Sequence, residues 1–292
     1  MKKQFEELTD AIIKKVIPSR SKASHKGNNG SVGIIGGSWI YHGAPVLAGL
    51  AALRSGADLV YLFVPNKITD AVRSISPNLI VYPLPDSRFT LGCANRLLKW
   101  LPDIDSLALG LGMVNQKLNG LEKVVTEMSV RGVNMVLDAY AIKDDLVKRG
   151  KDRCVLTPHL AEFQRLMKSD VSADFTLLTD NERGKLVSNK ASEIGSTIVL
   201  KGEKDIISDG KKVFVNSSGN AGMTVGGSGD VLTGIIAGLL AKGVSPLYAG
   251  AVGAYINGSA GDLAFKEKGL HLYATDIIDK IPDVMLEYDD VC

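Results

Sequence analysis

The stretch Val32-Gly-Ile-Ile35-Gly36-Gly37-Ser38, followed by Ala44-Pro45 and then Leu59-Val-Tyr-Leu-Phe63, decides the fold of this chain. An apolar β-branched run ends in a glycine pair, and a helix starts at a proline suited to a first helical turn. A second apolar run follows, which completes one strand–helix–strand unit. The two runs are apolar at consecutive positions, as parallel strands covered on both faces require. Working outward, the same rhythm predicts further strands at 79–81, 106–109, 134–137, 154–156, 198–200 and 212–215. Helical periodicity falls near 44–55, 67–75, 92–100, 118–130, 159–168 and 180–194. After Val215 the strand signal stops, and two long helices are expected near 229–242 and 245–266. This alternation predicts an α/β fold: a mostly parallel central sheet with helices on both faces and right-handed crossovers.

At the N-terminus Phe5, Leu8, Ile12 and Val16 fall on one face of a helix expected to stop before Pro18. Lys2 and Lys3 are followed by Phe5-Glu-Glu-Leu8, not by the continuous apolar core of a secretion signal. The most apolar run, from Val231 to Ala241, ends at Lys242 and is far shorter than the ~20 residues that span a bilayer. No membrane association is expected. Three cysteines without metal-ligand spacing suit a reducing compartment, so the cytoplasm is expected. No Pro/Ser-rich linker or internal repeat divides the chain, and residues 1–292 are read as one domain.

Hydrophobic residues make up 45% and charged ones 23%, with a net charge of +2, which excludes a disordered chain. The same balance gives no basic stripe for nucleic acid. Lys14, Lys15, Arg20, Lys22 and Lys26 form a short, interrupted basic stretch read as solvated surface. The phosphate loop G-x-x-x-x-G-K-[ST] and the dinucleotide fingerprint G-x-G-x-x-G after the first strand are both absent. Of the 31 glycines, 8 fall in 27–56 and 12 in 219–261, so the surplus is local.

The densest cluster is Gly219-Asn-Ala-Gly-Met-Thr-Val-Gly-Gly-Ser-Gly-Asp230, leading into Val-Leu-Thr-Gly-Ile-Ile-Ala-Gly-Leu-Leu240. Glycines before a helix leave backbone N–H groups uncovered, and the helix start adds partial positive charge, which suits phosphate. Between 219 and 261 the only charged side chains are Asp230 and Lys242. Asp230 falls in the first turn, where a carboxylate can take a proton from a hydroxyl lying against that anion. The plain alternative is a helix cap. A second cluster joins Ser24-His25-Lys26-Gly27, Gly30, Gly36-Gly37-Ser38 and Tyr41-His42-Gly43-Ala44-Pro45. It places a glycine loop at a strand's C-terminal end, where open α/β sheets bind ligands; close helix–sheet packing is the alternative. In a third, Val155-Leu-Thr157-Pro158-His159-Leu-Ala-Glu162-Phe163, Thr157 is expected to cap a helix and Pro158 to be its first residue. Gly110-Leu-Gly112 and Leu200-Lys201-Gly202 each end a strand, the second with a cation suited to phosphate.

Together these segments resemble the NAD(P)H-hydrate dehydratases, a branch of the three-layer ribokinase-like fold. The resemblance is carried by Ser24-His-Lys-Gly27, Ile34-Ile-Gly-Gly-Ser38, Gly43-Ala-Pro45, Thr157-Pro-His-x-x-Glu-Phe163 and the segment from Asn220 to Gly234. It implies repair of NADH or NADPH whose nicotinamide ring has gained water, on the S epimer, with ADP or ATP consumed and Mg²⁺ required. It implies phosphorylation of the ring hydroxyl followed by phosphate elimination. By similarity Asp230 would be the catalytic base. Ala44, Gly112, His159 and Asp230 would contact the hydrated dinucleotide, and Lys201, Gly202, Glu203, Lys204, Asp205 and Gly229 the nucleotide. Glu162 would help organise the metal through water. The resemblance also implies a homo-oligomer, a tetramer. Some relatives carry a fused N-terminal epimerase domain; here about twenty residues precede the first motif, so a separate epimerase is expected to serve the same substrate pool. Many relatives read Asp-Ala-Asp-Ala-Leu where this chain has Asp138-Ala-Tyr140-Ala-Ile142. A ribokinase-like kinase acting on a vitamin-precursor alcohol and a non-catalytic nucleotide-binding module are the competing readings.

Overall fold

Parallel strands need crossover connections, and here the connections are helices that cover both faces of one sheet. In the computed structural model, which describes residues 4–167, 175 and 178–292, ten strands run in the order β1-β10-β9-β8-β7-β6-β5-β2-β3-β4. They are β1 (Gln4–Glu7), β2 (Ser31–Ile35), β3 (Leu59–Pro65), β4 (Ile80–Leu84), β5 (Ser106–Leu109), β6 (Asn134–Leu137), β7 (Cys154–Leu156), β8 (Thr197–Leu200), β9 (Asp205–Ser208) and β10 (Lys212–Asn216). Every pairing is parallel except β8 with β9 and β9 with β10.

Side chains of successive strand residues enter opposite cores, which is why the apolar runs are continuous. Val32 and Ile34 enter one core and Ile35 the other; Val199 enters the first, Ile198 and Leu200 the second. The first core is closed by α1 (Asp10–Val16), α2 (Ala44–Arg54), α3 (Thr69–Ile75), α9 (Ser228–Ala241), α10 (Pro246–Lys268) and α11 (Ala274–Met285). The second is closed by α4 (Leu91–Trp100), α5 (Leu118–Val130), α6 (Asp144–Gly150), α7 (Leu160–Met167) and α8 (Asp180–Ile194). The result is the expected three-layer α/β sandwich.

Some sequence expectations are corrected. The N-terminal helix covers only Asp10–Val16, because Gln4–Glu7 instead pairs parallel with β10. Amphipathic spacing alone does not reveal that sheet partner. β9 is absent from the sequence expectations, since its apolar part is only Ile206-Ile207 between polar ends. α6 and α11 are further additions. Residue 168 of the expected helix 159–168 lies outside the described residues.

Glycine also serves helix packing. A Cβ at Gly234 of α9 would lie 2.1 Å from the Ala48 carbonyl oxygen of α2, and one at Gly238 would lie 2.0 Å from Ser55 Oγ. The first contact brings α2 and α9 together backbone to backbone, and the second makes room for the serine that follows α2. Gly253 of α10 instead makes room for the Ile236 side chain of α9, whose Cγ1 would lie 2.6 Å from a Cβ there.

Candidate active site

Strands β2, β5, β6, β7 and β8 are mutually parallel, so their C-terminal ends share one edge of the sheet. The chain runs outward from β2 through β3 to β4 and then returns to β5 on β2's other side. The crevice between β2 and β5 is therefore a topological switch point, where open α/β sheets take ligands. The glycine loops after the two strands meet across it. Gly37 N–H donates to Leu111 O at 2.8 Å, and a Cβ at Gly36 would lie 2.6 Å from that same oxygen. Gly112 has φ +63° and would place a Cβ 3.0 Å from Ala44 Cβ, so the structure brings Ala44 and Gly112 together. Gly110, at φ +111°, lies against the carbonyl of Asp138, where a Cβ would approach the oxygen to 2.0 Å.

Asp138 directly follows β6 and is the residue whose importance sequence reasoning misses. Only 4% exposed, it accepts from Thr157 Oγ1 at 2.8 Å and from Lys201 Nζ at 3.2 Å, both on Oδ1. Its place at the C-terminal end of the strand 134–137 is the available signal. Thr157 therefore does not cap α7. That helix begins at Leu160, and the cap is His159, whose Nδ1 accepts from Ala161 N–H at 3.1 Å. Glu162 Oε2 reaches back to His159 N–H at 3.0 Å, the reciprocal half of a capping box. Glu162 Oε1 lies 3.5 Å from His159 Nε2. Glu162 thus holds the position of His159, whose imidazole is more than half exposed.

Lys201 follows β8, and its N–H donates to Pro158 O at 2.9 Å, which registers it beside His159. Its ammonium lies between Asp138 and the start of α9: a Cβ at Gly229 would be 3.3 Å from Nζ. Gly227 precedes α9 at φ +100°, packed on Leu47 and Ala274, and permits the sharp entry into the helix. Asp230 sits in the first turn. Burial pushes its carboxyl up to about 7; the negative charge of Asp138 acts in the same direction and the Lys201 ammonium against it. A carboxyl poised near neutrality is suited to accept a proton. Asp230, isolated among 219–261 in sequence, is thus coupled to a second acid in space.

A cavity of about 590 Å³, within the usual ligand range, opens beside this cluster. Lys201, Gly202, Glu203, Asp205, Ser228 and Gly229 are among the residues that line it. Asp205 closes the β8–β9 turn, accepting from Gly202 N–H and Asn216 Nδ2, each at 3.1 Å. Burial raises its carboxyl against those hydrogen bonds. Lys204 turns elsewhere and pairs with Asp180 Oδ2 at 2.7 Å, at the start of α8. Tyr140 donates from its hydroxyl to Gln116 O at 2.6 Å and so braces the segment after β5.

Ser24–Gly27 does not join this site. It precedes β2, at the opposite edge of the sheet. There the Gly27 and Asn29 N–H groups donate to Asp58 Oδ2 at 2.9 and 3.1 Å, and Arg20 pairs with the same carboxylate. No group of three or more His, Cys, Asp or Glu side chains among the described residues forms a self-sufficient metal cage. Mg²⁺ bound through nucleotide phosphates asks for only one or two carboxylates, and Asp138 supplies that donor chemistry.

A sandwich of this topology with its ligand cavity at the strands' C-terminal edge defines the ribokinase-like class. A ribokinase-like superfamily protein from Enterococcus faecalis superimposes with a TM-score of 0.79 at 27% identity, over 98% of this chain and 96% of that one. The family model for NAD(P)H-hydrate dehydratase matches residues 32–283, and the chain belongs to that family. The ADP-dependent (S)-NAD(P)H-hydrate dehydratase of Nitrosopumilus maritimus is 46% identical over 97% of this chain and 98% of the relative. The ADP/ATP-dependent NAD(P)H-hydrate dehydratase of Bacillus subtilis, co-crystallized with ATP and Mg²⁺, shares the fold at TM-score 0.79 and 24% identity, over 96% of this chain and 98% of that one. No helix among the described residues is long and apolar enough to cross a membrane.

Proposed function

We propose that this chain dehydrates the S epimer of hydrated NADH or NADPH back to the dinucleotide, consuming ADP or ATP. The observation that carries the reading is the Asp138–Lys201–Asp230 cluster at the glycine-rich start of α9, beside a nucleotide-sized cavity. In the first step the ring hydroxyl oxygen attacks the terminal phosphorus of ADP or ATP, the bond from that phosphorus to the bridging oxygen breaks, and AMP or ADP, respectively, leaves. Asp230 accepts the hydroxyl proton. In the second step the ring C–O bond breaks, phosphate departs with the electron pair, and loss of a proton from the adjacent carbon restores the ring double bond. In this reading Gly229 N–H and Lys201 Nζ hold the transferring phosphoryl group, and the helix start adds partial positive charge there. Asp138 holds Lys201 in place. Ala44 and Gly112 form the wall for the hydrated ring, with His159 beside Lys201. Gly202, Glu203 and Asp205 line the nucleotide side, and Lys204 fixes the outer turn through Asp180. Mg²⁺ would neutralise phosphate charge, with Asp138 as a protein ligand and Glu162 acting through water, which leaves the Asp230 carboxylate free as the base.

The continuous ten-stranded sheet supports reading 1–292 as one domain. The three free cysteines support a cytoplasmic setting. A homotetramer and a separate epimerase supplying the S epimer complete the proposal; light scattering and assays with the R epimer test them. The decisive assay follows dihydronicotinamide absorbance after adding hydrated NADH, ADP and Mg²⁺, with ATP in parallel. Recovery with phosphate and AMP or ADP, respectively, as co-products is expected. A stable phosphorylated product, or no recovery with either nucleotide, would overturn it.

A further inference from the structure

The segment from Ser218 to Thr224 supplies more of the cavity wall than any other stretch of chain. It runs from β10 towards α9 without forming a strand or an α-helix, so its position depends on what it lies against. It lies against α10. A Cβ on Gly258 would be 2.3 Å from Ser218 Oγ, and one on Gly261 would be 2.1 Å from Met223 Sδ. The two glycines stand three residues apart on one face of the helix, and the segment rests in the trough they leave. Asp262 closes that trough. Its Oδ2 accepts from Gly219 N–H at 3.0 Å, and its Oδ1 accepts from Asn220 Nδ2 at 2.8 Å. Asn220 passes the tie on, accepting from Gly222 N–H on its own Oδ1 at 2.9 Å. Asp262 is partly buried behind the wall and does not itself line the cavity. A carboxylate accepts on both oxygens, whereas an asparagine there would turn an N–H towards one of the two donors.

We propose that Asp262 is a positioning residue for the nucleotide: by taking both donors it fixes the wall of Gly219, Asn220 and Met223 opposite Lys201 and Gly229. The proposal rests on the reading of this cavity as the nucleotide site and adds the group that shapes it. A second tie, from Asn216 Nδ2 to Asp205 Oδ2 at 3.1 Å, joins the chain just before the segment to the turn after β8. The two walls are thereby registered on each other, with α10 as the reference. A wall held in place binds without an ordering cost, and a released one must be ordered by the ligand at the expense of affinity. In the reading above, the hydrated ring lies against Ala44 and Gly112, away from this wall. The effect of Asp262 therefore falls on ADP and ATP and not on the hydrated dinucleotide.

The test compares the wild type, Asp262→Asn, and the exchanged pair Asp262→Asn with Asn220→Asp. In the exchanged pair the amide at 262 accepts from Gly219 N–H and donates to the carboxylate at 220, whose other oxygen takes Gly222 N–H. Calorimetric titration with ADP in Mg²⁺ buffer is read beside the kinetics of the recovery assay. Asp262→Asn is expected to weaken ADP about tenfold and raise its KM to match, the loss of one hydrogen bond to a charged group. Its kcat and its KM for the hydrate should stay within twofold of wild type. The exchanged pair should bind ADP within about threefold of wild type, since all three hydrogen bonds re-form. Unchanged ADP affinity in Asp262→Asn would overturn the proposal. A parallel rise in both KM values would also overturn it, because Asp262 would then support the fold at large. If Asp262→Asn fails to fold, the exchanged pair decides alone: restored ADP binding supports the proposal, and lost folding or lost affinity overturns it. ADP binding that follows the expected pattern in a protein without dehydratase activity would sink the proposed function and leave this inference standing. Dehydration with ADP whose affinity is indifferent to Asp262 would do the reverse.

Discussion

Replacing Asp230 by Asn should abolish turnover and yet make the protein more stable above neutral pH. Burial and Asp138 raise the Asp230 carboxyl from 3.8 to about 7. A carboxyl with a raised folded-state value holds its proton longer in the native chain than in the unfolded one. Its contribution to stability is therefore complete below pH 3.8 and is lost as pH climbs to about 7. Roughly three units at ~1.4 kcal/mol each set an upper figure of about 4 kcal/mol for the penalty at pH 8. The asparagine amide of the variant is neutral at every pH and escapes that penalty. It forgoes only the attraction to Lys201, which keeps Asp138 as partner. At ~2–4 °C per kcal/mol for a large domain, Asp230→Asn should melt several degrees above wild type at pH 8. It should match wild type near pH 4. The assay is a melting series from pH 4 to 9 on both proteins, beside the recovery assay at each pH. A variant that melts at or below wild type throughout would refute the reasoning, because Asp230 would then not be a strained buried acid.

Asp138→Asn removes the charge that helps raise Asp230, so the acid limb of the rate profile should move to lower pH while the nucleotide KM rises; a pH–rate series reads both. Gly234→Ala places a methyl 2.1 Å from Ala48 O. Overpacking of ~1–3 kcal/mol should outweigh the ~1 kcal/mol helix-propensity gain, and calorimetry should show a lower Tm. Burial pushes the Cys154 thiol up to about 12 and Cys93 is also buried, so a native thiol titration should label Cys292 alone and all three only after denaturation.

The layered fold is legible because consecutive apolar positions in strands such as 32–35 and 134–137 have one simple explanation, cover on both faces. What stays hidden depends on contacts distant in sequence. Gln4–Glu7 becomes a strand only because β10 lies beside it. Asp138 looks like any acid after a strand until Thr157 and Lys201, from two later strand ends, converge on it. Thr157-Pro158 is locally a good helix start, but the demand of a buried carboxylate for a donor takes the threonine hydroxyl away. Ser24–Gly27 shares a motif region with Gly36–Ser38, yet a five-residue strand carries the chain across the sheet between them. The glycine surplus marks the right segments, but part of it answers to α2, α9 and α10.

The backbone contact of Gly234 with Ala48 has a mechanical consequence. α2 begins at Ala44, on the proposed dinucleotide side, and α9 begins at Ser228, on the phosphate side. Held backbone to backbone at that point, the two helices move as a single slab. The distance between hydroxyl acceptor and phosphoryl donor is therefore set before either ligand arrives. Any opening for entry and release falls to segments outside the slab, the turn at 201–204 and the loop at 38–43.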